Sequence, residues 1–139
     1  MNSHERLTSR VLRAGLWFLA GVQLSVGVAA TLAPRAFYDY VPWVDLLPPY
    51  SEHLMRDVGA LNLSLALVFV VAAITMERLV IRVALGAYLV FAVLHLTFHV
   101  THLENFTTAA AVGQTTVLAL AVLPAVLLIL TGRRTSDRV

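Results

Sequence analysis

Four long apolar stretches, separated by short segments rich in arginine, acidic residues or proline, set the pattern of the chain: residues 11–32, 52–76, 79–102 and 109–131. The second becomes continuously apolar only from Val58, after an amphipathic start at Glu52. About 20 apolar residues in a helix cross a hydrocarbon core of about 30 Å, and a helix pairs its own backbone polar groups where water is absent. Each stretch therefore predicts a membrane-spanning helix. Together they leave almost nothing of the 139 residues for a second domain.

The connecting segments predict how these helices meet. Residues 33–51 carry Pro34, Pro42, Pro48 and Pro49 among Phe37, Tyr38, Tyr40, Trp43 and Tyr50. The prolines argue against a regular helix and the amphipathic rings suit the headgroup layer, so the segment reads as an irregular interfacial loop. Met76, Glu77 and Arg78 make a tight turn, and residues 102–108 a short loop. Short connections make neighbours antiparallel, so the expected fold is all-α, a transmembrane four-helix bundle running up-down-up-down.

Composition agrees: 59% of residues are hydrophobic and 13% charged, and the mean hydropathy is +0.81. That is too little polar surface to coat a soluble globule, which makes the lipid bilayer the first partner. The net charge of +2 does not point to nucleic acid, because the ten basic residues are all arginines scattered around apolar runs. The absence of cysteine excludes disulfides and thiolate metal sites.

The arginines also predict orientation. With the N-terminus inside, Arg6, Arg10, Arg13, Arg78, Arg82, Arg133, Arg134 and Arg138 are cytoplasmic, and only Arg35 and Arg56 lie outside. This bias puts both termini in the cytoplasm. A cleaved signal peptide ending near Val28-Ala29-Ala30 competes for the first run, but the run exceeds the usual 7–15-residue signal core and reads as a span.

Helices in lipid are held by close approach and a few hydrogen bonds rather than by burial. The small-xxx-small pairs Ser25/Ala29 and Ala60/Ser64 suit packing within the chain or a homo-oligomer equally. Gln23, Gln114, Thr115 and Thr116 read as interhelical hydrogen-bonding groups, and Pro124 predicts a kink in the fourth helix. Asn105-Phe106-Thr107 matches the glycosylation sequon, a pattern frequent by chance.

The sharpest chemical feature is the run His95-Leu-Thr-Phe-His99-Val-Thr-His102. At about 100° per residue, the three imidazoles share one face of the third span. Counting a rise of about 1.5 Å per residue from Arg82 puts His95 about 20 Å up, His99 about 25 Å and His102 about 30 Å. On the second span, Asp57 is level with His99 and His102, with His53 and Arg56 just above it; His53 and Asp57 share a face, and Asn62 points elsewhere. The expectation is a pocket under the outer surface built from His53, Arg56, Asp57, His95, His99 and His102, with Glu52 and Glu104 at its mouth.

Such a set admits several chemistries. Histidines at i, i+4 or i, i+3 can share a metal ion with a carboxylate of a neighbouring helix, which makes His53, Asp57, His95, His99 and His102 candidate ligands. His95 and His102 are about 10 Å apart along the axis, so one ion cannot take all three imidazoles. Haem held by histidines of two facing helices is another cofactor option, and a proton-relay or anion pocket using Arg56 a third. In the plainest reading the groups satisfy one another and the helix ends, with no ligand at all.

The layout resembles the DoxX-like group of small four-span bacterial membrane proteins, on the glycines of the first helix, Pro34-Arg35-Ala36-Phe37-Tyr38, and Arg56-Asp57-Val58-Gly59-Ala60-Leu61-Asn62-Leu63. That resemblance implies a four-helix bundle in a bacterial inner membrane and carries over no catalytic residue. Arginine without lysine suits the same kind of source, a GC-rich genome. The reading that follows is a membrane binding or accessory protein, alone, as a homo-oligomer or in a larger membrane complex. A metal- or haem-dependent redox enzyme using the same histidines is the alternative. A small transporter comes third, because the deepest parts of the spans lack a charged residue to couple ions.

Overall fold

The computed structural model describes residues 3–47 and 49–134. It contains α1 (Ser3–Leu32), α2 (Pro34–Tyr40), a 3-10 turn (Val44–Leu46), α3 (Glu52–Thr75), α4 (Arg78–Thr101) and α5 (Thr108–Arg134), and no strand among the described residues. Four of the helices are long and apolar enough to cross a membrane: Arg6–Leu32 within α1, α3, α4 and Thr108–Val126 within α5. The expected all-α four-span bundle is the architecture found. α1 packs most extensively on α3, α3 on α4, α4 on α5, and α5 returns to α1. The start of α1, the end of α5 and the α3–α4 turn share one end of the bundle, the terminal end; the α1–α3 connector and the α4–α5 loop share the other, the connector end.

Helix limits follow local chemistry. Ser51 caps α3, its Oγ accepting from Leu54 N at 3.3 Å, and Thr107 does the same for α5 by accepting from Ala110 N at 3.3 Å. α3 stops where Met76 turns left-handed (φ 54°) and its N–H donates to Ala72 O at 2.9 Å. Two features depart from the sequence expectation. α1 begins at Ser3, about two turns before residue 11, because nothing in its arginine-bearing start opposes a helix. Residues 34–40, read above as irregular loop, form two turns of helix with Pro34 in the first turn, where its missing N–H has no helical partner to lose. That helix ends just before Val41-Pro42, as the residue ahead of a proline favours.

The tightest contact is the crossing of α1 and α3. A Cβ built on Gly59 would run into Thr31 Oγ1 and lie 2.8 Å from Thr31 N and 3.1 Å from Gly27 O. One built on Gly27 would lie 2.8 Å from Leu63 N. Backbone meets backbone here, which only glycine permits. The spaced pairs expected to pack do not do so within the chain: Ser25, Ala29, Ala60 and Ser64 are all exposed, and Ser25 Oγ and Ser64 Oγ donate to carbonyls of their own helices.

The terminal-end half is a closed apolar plug. Leu16, Leu19, Phe69, Ala72, Ala84, Leu85, Ala125 and Leu128 are buried there in one cluster, and Phe69 meets Tyr88 edge-on at 5.6 Å. Tyr88 Oη crosses to α5 and donates to Ala121 O at 3.0 Å. The acceptor adjoins the Leu120 carbonyl, which Pro124 deprives of its helical N–H. Tyr88→Phe should therefore lower the unfolding free energy by about 1 kcal/mol in a detergent titration followed by circular dichroism. No change would mean that the hydroxyl contributes nothing to the α4–α5 contact.

Candidate functional site

The six residues expected to converge fall into two separate sets. At the start of α3, Arg56 turns toward α1: Nη1 donates to Thr31 O at 2.6 Å, while Nε and Nη2 reach Glu52 Oε1 at 2.9 and 2.8 Å. Glu52 is thus the ion partner of Arg56 rather than the rim of a pocket. His53 Nε2 lies 3.3 Å from Asp57 Oδ2 on the same helix, with the two side chains 89% and 61% exposed. At that exposure the pair is solvated and adds little stability.

The histidines of α4 form their own column of rings. His95 stacks on Phe91 at 5.2 Å and meets His99 edge-on at 4.4 Å. His102 stacks on Phe98 at 4.2 Å, and its Nδ1 lies 2.9 Å from Phe98 O. A carbonyl can only accept, so that nitrogen carries the hydrogen and donates, and Nε2 of the neutral ring keeps its lone pair. No hydrogen bond, ion pair or ring contact joins this column to His53, Arg56 or Asp57. Among the described residues no three His, Asp or Glu side chains gather as a metal site would need. The reason is rotational: α3 presents Arg56 to α1, whereas His99 of α4 meets Gln114 of α5.

That direction brings in residues that spacing alone did not assign to a site. His99 and Gln114 of α5 come within hydrogen-bonding reach of one another across the interface, although neither His99 Nδ1 nor Gln114 Oε1, both buried, completes a well-formed hydrogen bond. Gln114 is 5% exposed, and Gln23 of α1 and Asn62 of α3 are each 4% exposed. Asn62 Nδ2 donates to Val58 O at 2.7 Å, while Gln23 Oε1 is also unpartnered. Gln23 Oε1 makes no interhelical hydrogen bond of the kind expected, whereas Gln114 reaches His99 across the α4–α5 interface as expected of it. The Phe69–Tyr88 contact sets the register of α3 on α4, so Asn62 and His95, each seven residues nearer the connector end, are level. Gln23 lies about one turn below Gly27, which meets Leu63. Buried amides and half-buried imidazoles thus occupy the connector-end half, above the apolar plug. The signal for them in the sequence was the amides themselves, polar residues inside apolar runs.

The connector closes over this half. Trp43, left-handed at φ 69°, lays its indole on the α5 backbone: a Cβ on Gly113 would be 2.9 Å from Trp43 Cζ2. Asn105 Nδ2 donates to Leu46 O at 3.0 Å, tying the α4–α5 loop to the connector, so both Asn105 and Thr107 of the sequon have structural partners. Beside this tie an open cleft of about 460 Å³ is lined by Tyr38, Asp45, Phe98, His102, Glu104 and Asn105, among others. His102 and Glu104 of the expected set therefore do line one cavity. On α2, Arg35 Nε donates to Asp39 Oδ2 at 2.8 Å and its guanidinium sits 4.9 Å from the centre of the Tyr50 ring. The hydrogen bond to Asp39, and then its charge, raise the guanidinium above its ordinary pKa.

Four helices long and apolar enough to cross a membrane define a polytopic membrane protein. Comparisons with protein-family models, curated proteins and solved structures give no match to the chain.

Proposed function

We propose that this chain is an integral membrane binding or accessory protein of a bacterial inner membrane, acting through a recessed polar site around His99 and Gln114 that opens at the connector end. The DoxX-like grouping belongs to this proposal on the fold alone. The observation that carries it is the unequal division of the bundle: buried polar atoms without partners in one half, and a sealed apolar cluster in the other. A conduit needs polar or hydrated lining through its whole depth, whereas a binding site needs a floor. The arginine bias puts the connector end outside and both termini in the cytoplasm.

The chain contains no cysteine, so introduced thiols report without background. On intact cells, an impermeant maleimide should label Tyr40→Cys, which is 84% exposed at the connector end. Glu77→Cys, in the turn at the terminal end, should react only after permeabilisation. Gln114→Cys should react from outside, more slowly than Tyr40→Cys. A reversed pattern overturns the orientation; a Gln114→Cys chain that stays unlabelled overturns the site.

A further inference from the structure

We infer that the His99–Gln114 site receives a small neutral molecule that donates a hydrogen bond to Gln114 Oε1, and that the Trp43 indole is the stopper through which it passes. The inference rests on the reading of the site given above and adds the ligand class and the route.

Neutrality follows from where the charges are held. Gln114 Oε1 can only accept, and His99 Nδ1 donates or accepts according to tautomer, so the two atoms suit a hydroxyl or an amide N–H. Charged side chains of the connector end are engaged elsewhere: Arg56 with Glu52 and Thr31 O, Asp57 with His53, Arg35 with Asp39. Asp45 and Glu104 stay at the open cleft. An ion entering the buried half would find no opposite charge, and burying it unpaired is strongly unfavourable.

The route follows from the packing of the connector. Trp43 rests on Gly113, the residue immediately before Gln114, and the missing Cβ there is what lets the ring lie so close. A bulky residue at positive φ is backbone strain, and such strain is found at clamps and switches that must also let go. No residue of the Val44–Leu46 turn is buried. Its links to the rest of the described bundle include exposed hydrogen bonds, Asn105 Nδ2 to Leu46 O at 3.0 Å and Tyr38 Oη to Asp45 O at 3.4 Å. Few buried contacts and exposed hydrogen bonds mark a segment that opens before the bundle does.

The test uses the full-length chain in proteoliposomes with a thiol at Gln114→Cys, and at His99→Cys as a second position should the first not fold. Three methanethiosulfonates of similar size serve as probes: 2-hydroxyethyl, neutral; 2-(trimethylammonio)ethyl, cationic; and 2-sulfonatoethyl, anionic. Each rate is divided by that of the same reagent at Tyr40→Cys, which cancels intrinsic reactivity. The neutral reagent should lead both charged ones by about ten-fold or more. Adding Trp43→Ala should raise the neutral rate by about ten-fold, with the melting temperature confirming the fold. Equal normalised rates for neutral and charged reagents overturn the ligand class, and a rate indifferent to Trp43→Ala overturns the stopper. No reaction at either buried thiol with any reagent, while Tyr40→Cys reacts, is instead the failure of the underlying reading of the site.

Discussion

A Gly59→Val chain should lose about 3 kcal/mol or more of unfolding free energy, the largest single-residue effect expected in this bundle. Overpacking a core usually costs less, because side chains shift or change rotamer. At Gly59 the obstruction is backbone, Thr31 N and Gly27 O, so α1 must move as a body away from α3. Retreat there would also stretch the bond from Arg56 Nη1 to Thr31 O, now 2.6 Å. The measurement is a mixed-micelle titration with increasing denaturing detergent, followed by circular dichroism. Gly86→Ala supplies the control: a Cβ there meets nothing within 4 Å, so better helix propensity should make it neutral or stabilising by up to about 1 kcal/mol. Equal effects at the two glycines would show that the α1–α3 crossing is not set by close backbone approach.

Gln114→Leu should act in the opposite direction, raising the stability of the ligand-free protein by about 1–3 kcal/mol. Gln114 Oε1 is buried without a partner, and leucine of similar size removes that desolvation cost. A native residue whose apolar replacement stabilises the fold is one retained for something other than stability. Loss of stability on Gln114→Leu would make the side chain a structural link between α4 and α5, and the case for a binding site would fall with it. His99→Phe tests the other side of the pair: a gain in both single variants and no further gain in the double variant would show that the two groups act as one unit.

These expectations share one architectural fact. Each of the four long helices contributes apolar side chains to the buried cluster of the terminal-end half, and three of them bury an amide toward the connector end. Lipid cannot hydrogen-bond those amides, so they turn inward, where all three are buried. A small bundle whose stability rests on one glycine crossing and one apolar cluster can tolerate unsatisfied atoms in its other half.

The number of spans, their approximate limits and the antiparallel order were legible in the residue order, because each depends on quantities measured along one dimension: run length against bilayer thickness, and loop length between runs. The sequence also marked His95, His99 and His102 as one face of one helix, since helical periodicity is local. Only the tertiary structure decided which way each helix is rotated about its axis. Gly27 and Gly59, not Ser25/Ala29 and Ala60/Ser64, make the crossing of α1 and α3, and that rotation sends Arg56 to Thr31 O and away from the imidazoles of α4. The same rotations bring Gln114 to His99 and Trp43 to Gly113. Such pairings depend on sub-ångström fit between backbones distant in the chain, and no period or spacing in a single sequence encodes that fit.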